Sequence, residues 1–153
     1  MNFSRSAEYA IRAMTFLATQ PPGKRTGAKA IAAAEKIPMP FLWKILRMLA
    51  HRRLVRSFKG LHGGYELALP ARQIPLLAII QALDAIDPAS RCALGFGACS
   101  ESSACSLHDS WKGLRERMAA LLERNTLADL AAAVRRKGRR GRRRRAGSAF
   151  SAR

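Results

Sequence analysis

Leu54-Val55-Arg56-Ser57-Phe58-Lys59-Gly60-Leu61-His62-Gly63-Gly64-Tyr65-Glu66-Leu67-Ala68-Leu69 is the stretch on which the fold turns. Leu54 to Phe58 alternates apolar and polar side chains, the pattern of a half-buried strand. Tyr65 to Leu69 alternates again, and Pro70 stops it. Between the two runs, Gly60 to Gly64 is turn chemistry, because glycine permits positive φ. The sequence therefore predicts a β-hairpin that directly follows a helix.

That helix is expected over Phe41 to Arg52, opened by Pro38 and Pro40, since proline is at home in a first turn. Leu42, Ile45, Leu46 and Leu49 form its apolar face, which leaves Trp43, Lys44, Arg47, His51 and Arg52 on other faces. Upstream, Thr26-Gly27 opens a short helix over Ala28 to Glu35. A first helix over Ser4 to Thr19 repeats Tyr9, Ala10, Ala13, Met14, Phe16 and Leu17 at helical spacing, capped by Ser4 or Ser6 and ended by Pro21-Pro22-Gly23. Two short helices, a tight turn between them and a hairpin after them describe a winged helix-turn-helix.

The physical logic of such a unit is direct. A major groove about 12 Å wide admits one helix, whose N-terminal residues read base edges. Candidate DNA-contacting residues are Thr26 and Lys29 on the first helix of the pair, then Met39, Pro40, Phe41, Trp43, Lys44 and Arg47 on the second. Arg56, Lys59 and His62 on the hairpin could touch phosphates or an adjacent minor groove. Each of these residues alone could equally be a solvated surface cation or a core aromatic. The agreement of wing, basic face and charge carries the reading.

Downstream, Gln73 to Ile86 reads as an amphipathic helix with Ile74, Leu77, Ile80 and Leu83 on one face. Ser110 to Arg124 is helical again, with Trp111, Leu114, Met118, Leu121 and Leu122 in its pattern. Thr126 and Asp129 are spaced as a capping box with Asp in place of Glu, opening a last helix to about Val134. Residues 1–134 form one domain. Arg135 to Arg153 is an Arg-rich tail, expected to be disordered because it has little apolar surface to bury.

The chain has 153 residues and a formal charge of +18, and ten of its 28 Lys/Arg residues lie in that tail. The remainder is still basic, which points to a polyanionic partner, nucleic acid before membrane. Arg5, Glu8 and Arg12 interrupt the first apolar segment, so no secretory signal is expected, and the run Leu76 to Ile80 is far too short to span a bilayer. A cytoplasmic protein with reduced thiols is expected.

Cys92, Cys99 and Cys105 are the three cysteines, and His108 follows the last. The spacing C-x6-C-x5-C-x2-H lies on a Gly/Ser/Ala-rich loop, residues 90–108, that can curl around a metal. Zinc is one candidate, although zinc sites more often use paired C-x2-C knuckles. A disulfide switch among the three cysteines is another. His108 could instead cap the following helix or sit exposed. A Cys105–His108 catalytic pair lacks an orienting third group, and no phosphate-binding loop motif is present, so an enzyme with a small-molecule substrate is not expected.

Ser6-Ala7-Glu8-Tyr9-Ala10-Ile11-Arg12-Ala13 resembles the opening helix of the Rrf-two family of bacterial transcription regulators, the group of IscR, NsrR and RirA. Phe41 to Leu46 resembles the family's recognition helix, and Gly60 to Ala68 its wing. Thr126-Leu127-Ala128-Asp129-Leu130 resembles the segment after its dimer helix. The likeness covers about residues 1–134. It departs at Trp43, where the family often has Glu, and at Pro38 and Pro40, where it has serines.

The resemblance implies a mainly α fold with a small β-hairpin wing and a long C-terminal dimerisation helix. It implies a homodimer that binds a roughly palindromic double-stranded operator, usually as a repressor. The dimer helix is residues 110–124, with Trp111, Leu114, Met118 and Leu121 as interface residues. It implies an iron–sulfur cluster, two-iron or four-iron, on Cys92, Cys99 and Cys105. His108 stands first for the fourth ligand, and Glu8 of the other subunit second. Such a cluster would sense nitric oxide, redox state or iron supply. A cluster-free thiol-redox or zinc-containing regulator, or a non-specific basic nucleic-acid-binding protein, is the alternative.

Overall fold

The computed structural model describes residues 3–83, 94 and 105–137. Arg5–Thr19 forms α1, Ala28–Glu35 α2 and Met39–His51 α3. Val55–Phe58 and Gly64–Leu67 form β1 and β2, Leu76–Leu83 forms α4 and His108–Arg124 forms α5. Residues 127–137 are helical and are called α6. The fold is mainly helical with one antiparallel hairpin, the winged helix-turn-helix class expected from sequence.

α1 is the centre of the packing. The Ser4 side chain accepts a hydrogen bond from the Ala7 N–H at 3.1 Å and caps the helix. Ala7, Ala10 and Ala13 are fully buried along one face. Their small side chains let α2, α3 and α4 pack against α1. Met14 and Leu17 complete that face. Ile31, Leu42, Leu46, Leu49, Ile74, Ile79, Ile80 and Leu127 join the same core, so the last described helix is tied to the first.

Two left-handed residues shape the helix-turn-helix. Lys36 ends α2 at φ 51, and the Ile37 N–H donates to the Ala32 carbonyl. Arg53 follows α3 at φ 57, and the Leu54 N–H donates to the Leu49 carbonyl. Both are Schellman-type closures that reverse the chain within two residues. The first turns α2 into α3, and the second turns α3 into the wing. Between them, Leu42, Ile45, Leu46 and Leu49 are all buried, the four positions predicted by periodicity.

The wing pairs Val55 with Leu67, Arg56 with Glu66, Ser57 with Tyr65 and Phe58 with Gly64. The other edge of β2 is also used. Thr26 and Tyr65 exchange both backbone hydrogen bonds at 2.9 Å, so the residue before α2 is stitched to the wing. This close approach needs Gly64, which has φ 144, and a Cβ there would lie 3.0 Å from the Thr26 backbone. Gly63 closes the turn, since a Cβ on it would meet the Phe58 carbonyl oxygen at 2.4 Å.

A second stitch joins the ends of the α4–α5 excursion. The Leu76 N–H donates to the Asn125 carbonyl and the Leu127 N–H to the Ile74 carbonyl, both at 2.9 Å. The adjacent capping box forms as expected. Asp129 Oδ2 accepts from the Thr126 hydroxyl at 2.7 Å and the Thr126 N–H at 2.8 Å. These bonds, the hydroxyl first, hold the Asp129 carboxyl below the ordinary carboxylate range.

Element ends differ from the sequence expectation for local reasons. α3 starts at Met39, because Pro38 is the extended cap and Pro40 fits the first turn. The expected helix from Gln73 is split into a 3-10 turn, Ala71–Gln73, and α4, because Pro75 holds Ile74 in an extended conformation. α5 begins at His108 rather than Ser110. Residues 135–137, expected within the disordered tail, continue α6, and Arg135 Nη2 donates to the Ala18 carbonyl at 3.0 Å. Residues 84–86 of the expected fourth helix, most of the 90–108 loop and tail residues 138–153 lie outside the described residues. No described helix is long and apolar enough to cross a membrane.

Candidate nucleic-acid interface and cysteine site

α3 buries one face against α1 and α4 and leaves the other open. Pro40, Trp43, Lys44, Arg47 and His51 recur at three- and four-residue spacing and are all exposed. Trp43 is 57% exposed, large for an indole on a packed helix. Phe41 is 54% exposed but leans edge-on against Tyr9 of α1, with ring centroids 6.4 Å apart. Met39 is half-buried at the start of the helix, and Lys29 is exposed on α2.

Thr26 sits apart from this face. It is buried, and it joins α2 to the wing through its backbone. Arg56 is exposed and also reaches across the hairpin. Its Nη2 donates to the Ala68 carbonyl at 3.1 Å, and its Nη1 lies 3.8 Å from Glu66 Oε1. Lys59 and His62 are exposed at the wing tip beside Leu61, which is 97% exposed.

Two basic features escaped the sequence reading. Arg25 places its guanidinium 3.9 Å from the centre of the Phe58 ring, so a cation lies over the turn end of the wing. A basic residue just before Thr26 was the available signal, but its stacking partner is set by the fold. Arg47, His51 and Arg52 also line a cleft of about 490 Å³ with Met48 and Ala82. This extends the positive face from α3 toward α4.

The cysteine site is described in part. Cys105 is half-buried and His108 is buried at the first turn of α5, where the His108 N–H donates to the Cys105 carbonyl at 2.9 Å. The two residues thus share one backbone turn. Cys92 and Cys99 lie outside the described residues. Among the described residues no three His, Cys, Asp or Glu side chains cluster as metal ligands. Glu8 is exposed in the first turn of α1.

Two turns beyond His108, Arg115 is also buried. Its Nε and Nη1 have no hydrogen-bond partner among the described residues. On another side of α5, Leu114 and Leu121 are 52% and 54% exposed, and Trp111 and Met118 are half-buried.

The Rrf2 family model, described as an iron-dependent transcriptional regulator, matches residues 3–133. The HTH-type transcriptional regulator Rv1287 of Mycobacterium tuberculosis is 42% identical over 132 residues, covering 86% of this chain and 81% of that protein. The HTH-type transcriptional regulator IscR of Yersinia pseudotuberculosis is 31% identical over 130 residues, covering 85% and 79%. Among solved structures, CymR, the global cysteine regulator of B. subtilis, superposes with a TM-score of 0.74 at 26% identity, covering 87% of this chain and 98% of that one. T. potens IscR shares the fold at a TM-score of 0.71 and 24% identity, covering 88% of each chain. With the exposed basic face of α3, the stitched wing and a family match across the domain, the chain belongs to the Rrf2 family and is a DNA-binding transcriptional regulator.

Proposed function

We propose that this protein is a cytoplasmic, homodimeric repressor whose operator binding is controlled by an iron–sulfur cluster. The observation that carries the reading is the junction at the start of α5. Cys105 and His108 share one turn there, and the helix that follows exposes the Leu114–Leu121 stripe. Anything that binds at this turn acts directly on the helix offered for dimer contact.

Cys92, Cys99 and Cys105 would hold the cluster, with His108 as fourth ligand and Glu8 of a second subunit as the substitute. Three thiols and an imidazole suit iron–sulfur chemistry. The group supplies a centre that nitric oxide, oxidants or iron shortage can remove. The chain's own residues do the coupling. A cluster held by these residues would tie Cys92 and Cys99 to the first turn of α5, which packs on α4 and so on the winged module. Without it α5 would be freer to shift, and the spacing of two α3 helices across a dimer would change. This is a two-state coupling between ligand site and DNA face. Two copies of α3 would address half-sites about one helical turn apart, with Lys29, Lys44, Arg47, Lys59 and His62 as the exposed contacts around Trp43.

The test is anaerobic purification, followed by visible absorption, iron and sulfide assay, and operator binding before and after cluster removal. Cys→Ser at Cys92, Cys99 or Cys105 should abolish the colour and change operator affinity at least tenfold. A colourless, iron-free protein whose DNA binding ignores both removal and oxidation overturns the reading. A second reading, a cluster-free thiol switch, draws support from the likeness to CymR, one solved form of which is described as oxidized. Colourless protein whose binding changes reversibly with oxidant and reductant selects that reading.

A further inference from the structure

The open face of α3 has an unusual chemistry. Met39–His51 contains no Asp, Glu, Asn, Gln, Ser or Thr. Its exposed side chains are Pro40, Phe41, Trp43, Lys44, Arg47 and His51. Trp, Lys and Arg donate hydrogen bonds and accept none. His51 alone has an acceptor form, and it sits in the last turn, far from the N-terminal end that meets bases. Phe41 is turned onto Tyr9.

Such a face is selective by what it lacks. In the major groove, adenine N6 and cytosine N4 present donors, which are read by Asn, Gln, Asp or Glu. Guanine presents only acceptors, N7 and O6. Thymine presents an acceptor, O4, and a methyl group. A donor-only face with one exposed indole therefore matches guanine through two acceptors and thymine through O4 and its methyl, while adenine offers it N7 alone and cytosine no acceptor. Trp43 and Arg47 lie one turn apart on the same side of the helix, a rise of roughly 6 Å. At about 3.4 Å per base pair that separation spans about two steps.

We propose that Trp43 and Arg47 define each operator half-site as a thymine and a guanine about two base pairs apart. Trp43 packs on the thymine C5 methyl, and Arg47 donates to guanine N7 and O6. This rests on the DNA-binding reading of α3 and names what that face reads. Lys44, on the other flank, holds the adjacent phosphates. Trp43 is 57% exposed in the free protein, so its indole has surface to bury against a methyl group.

The experiment is selection from a randomised duplex library with the full chain, followed by single-atom changes in the selected duplex. Deoxyuridine in place of each thymine removes only the methyl group. One position per half-site should then lose affinity about fourfold, the burial of one methyl. 7-Deazaguanine at the guanine two steps away should cost about tenfold or more. Trp43→Ala should remove the uridine sensitivity while leaving the guanine sensitivity intact, and Arg47→Ala the reverse. Trp43 is exposed, so the variant keeps the fold, and the modified duplexes test the wild-type chain independently. If specific sites are enriched but no uridine substitution matters, the base assignment fails and the DNA-binding reading stands. If Trp43→Ala enriches the same sites with the same uridine sensitivity, it fails as well. If no sequence is enriched, both fail.

Discussion

Gly64 shows how much one missing side chain can decide. Its φ of 144 and its 3.0 Å approach to Thr26 permit the paired hydrogen bonds that fasten the wing. Gly64→Ala is expected to destabilise the protein by about 1–3 kcal/mol, the range for a strained backbone with a displaced neighbour. Urea unfolding measures this, and operator affinity should fall with it. Gly64 was legible in the sequence as a turn residue, but the seam with Thr26 was not. Thr26 reads as a helix-opening, DNA-facing residue because its pairing partner is remote in the chain. Arg56 is an exposed wing cation, as its place in the hairpin predicts, but its partners are not legible in the sequence. Its engagement with Glu66 and Ala68 depends on strand register, which single residues do not declare. Arg115 is the opposite case, a charge whose burial follows from how α5 is docked.

At the scale of elements, helices announced themselves where their periodicity met a full hydrophobic face. α3 was predicted down to its four buried positions. Boundaries were less legible where proline acted from outside the element, as at Pro75 before α4. α5 combines a buried side bearing His108 and Arg115 with the exposed Leu114 and Leu121. Two exposed leucines on one side of a 17-residue helix suit a second copy of the same helix. Replacing both by Glu should convert a dimer to a monomer in sedimentation equilibrium while circular dichroism keeps the helical signal. A dimer that persists at micromolar concentration would move the interface elsewhere. Cys105 and His108 were legible as a pair by spacing. Their shared helical turn came from α5 starting earlier than expected.

For the whole molecule, charge is the dominant sequence signal, and +18 on 153 residues points to nucleic acid without saying how it is read. Removing residues 138–153 takes seven arginines away. Phosphate-bound cations each contribute about 0.9 to the slope of log affinity against log salt. The truncated protein should therefore bind random duplex more weakly and with a shallower salt slope. Its preference for a selected site over random sequence should persist, because α3 and the wing carry that preference. Equal competition by random and selected duplex after truncation would mean that the winged module contributes no specificity. The chain leaves the winged module at Leu76 and re-enters it at Leu127, through two hydrogen bonds across one small gate. α4 stays in the shared core beneath α1 and α3, so the freedom lies after Leu83, where the chain between α4 and α5 can change its length or its ligands while the two hydrogen bonds hold the ends together. The arrangement is a socket, in which a detector between α4 and α5 could be exchanged without rebuilding α3 or the wing.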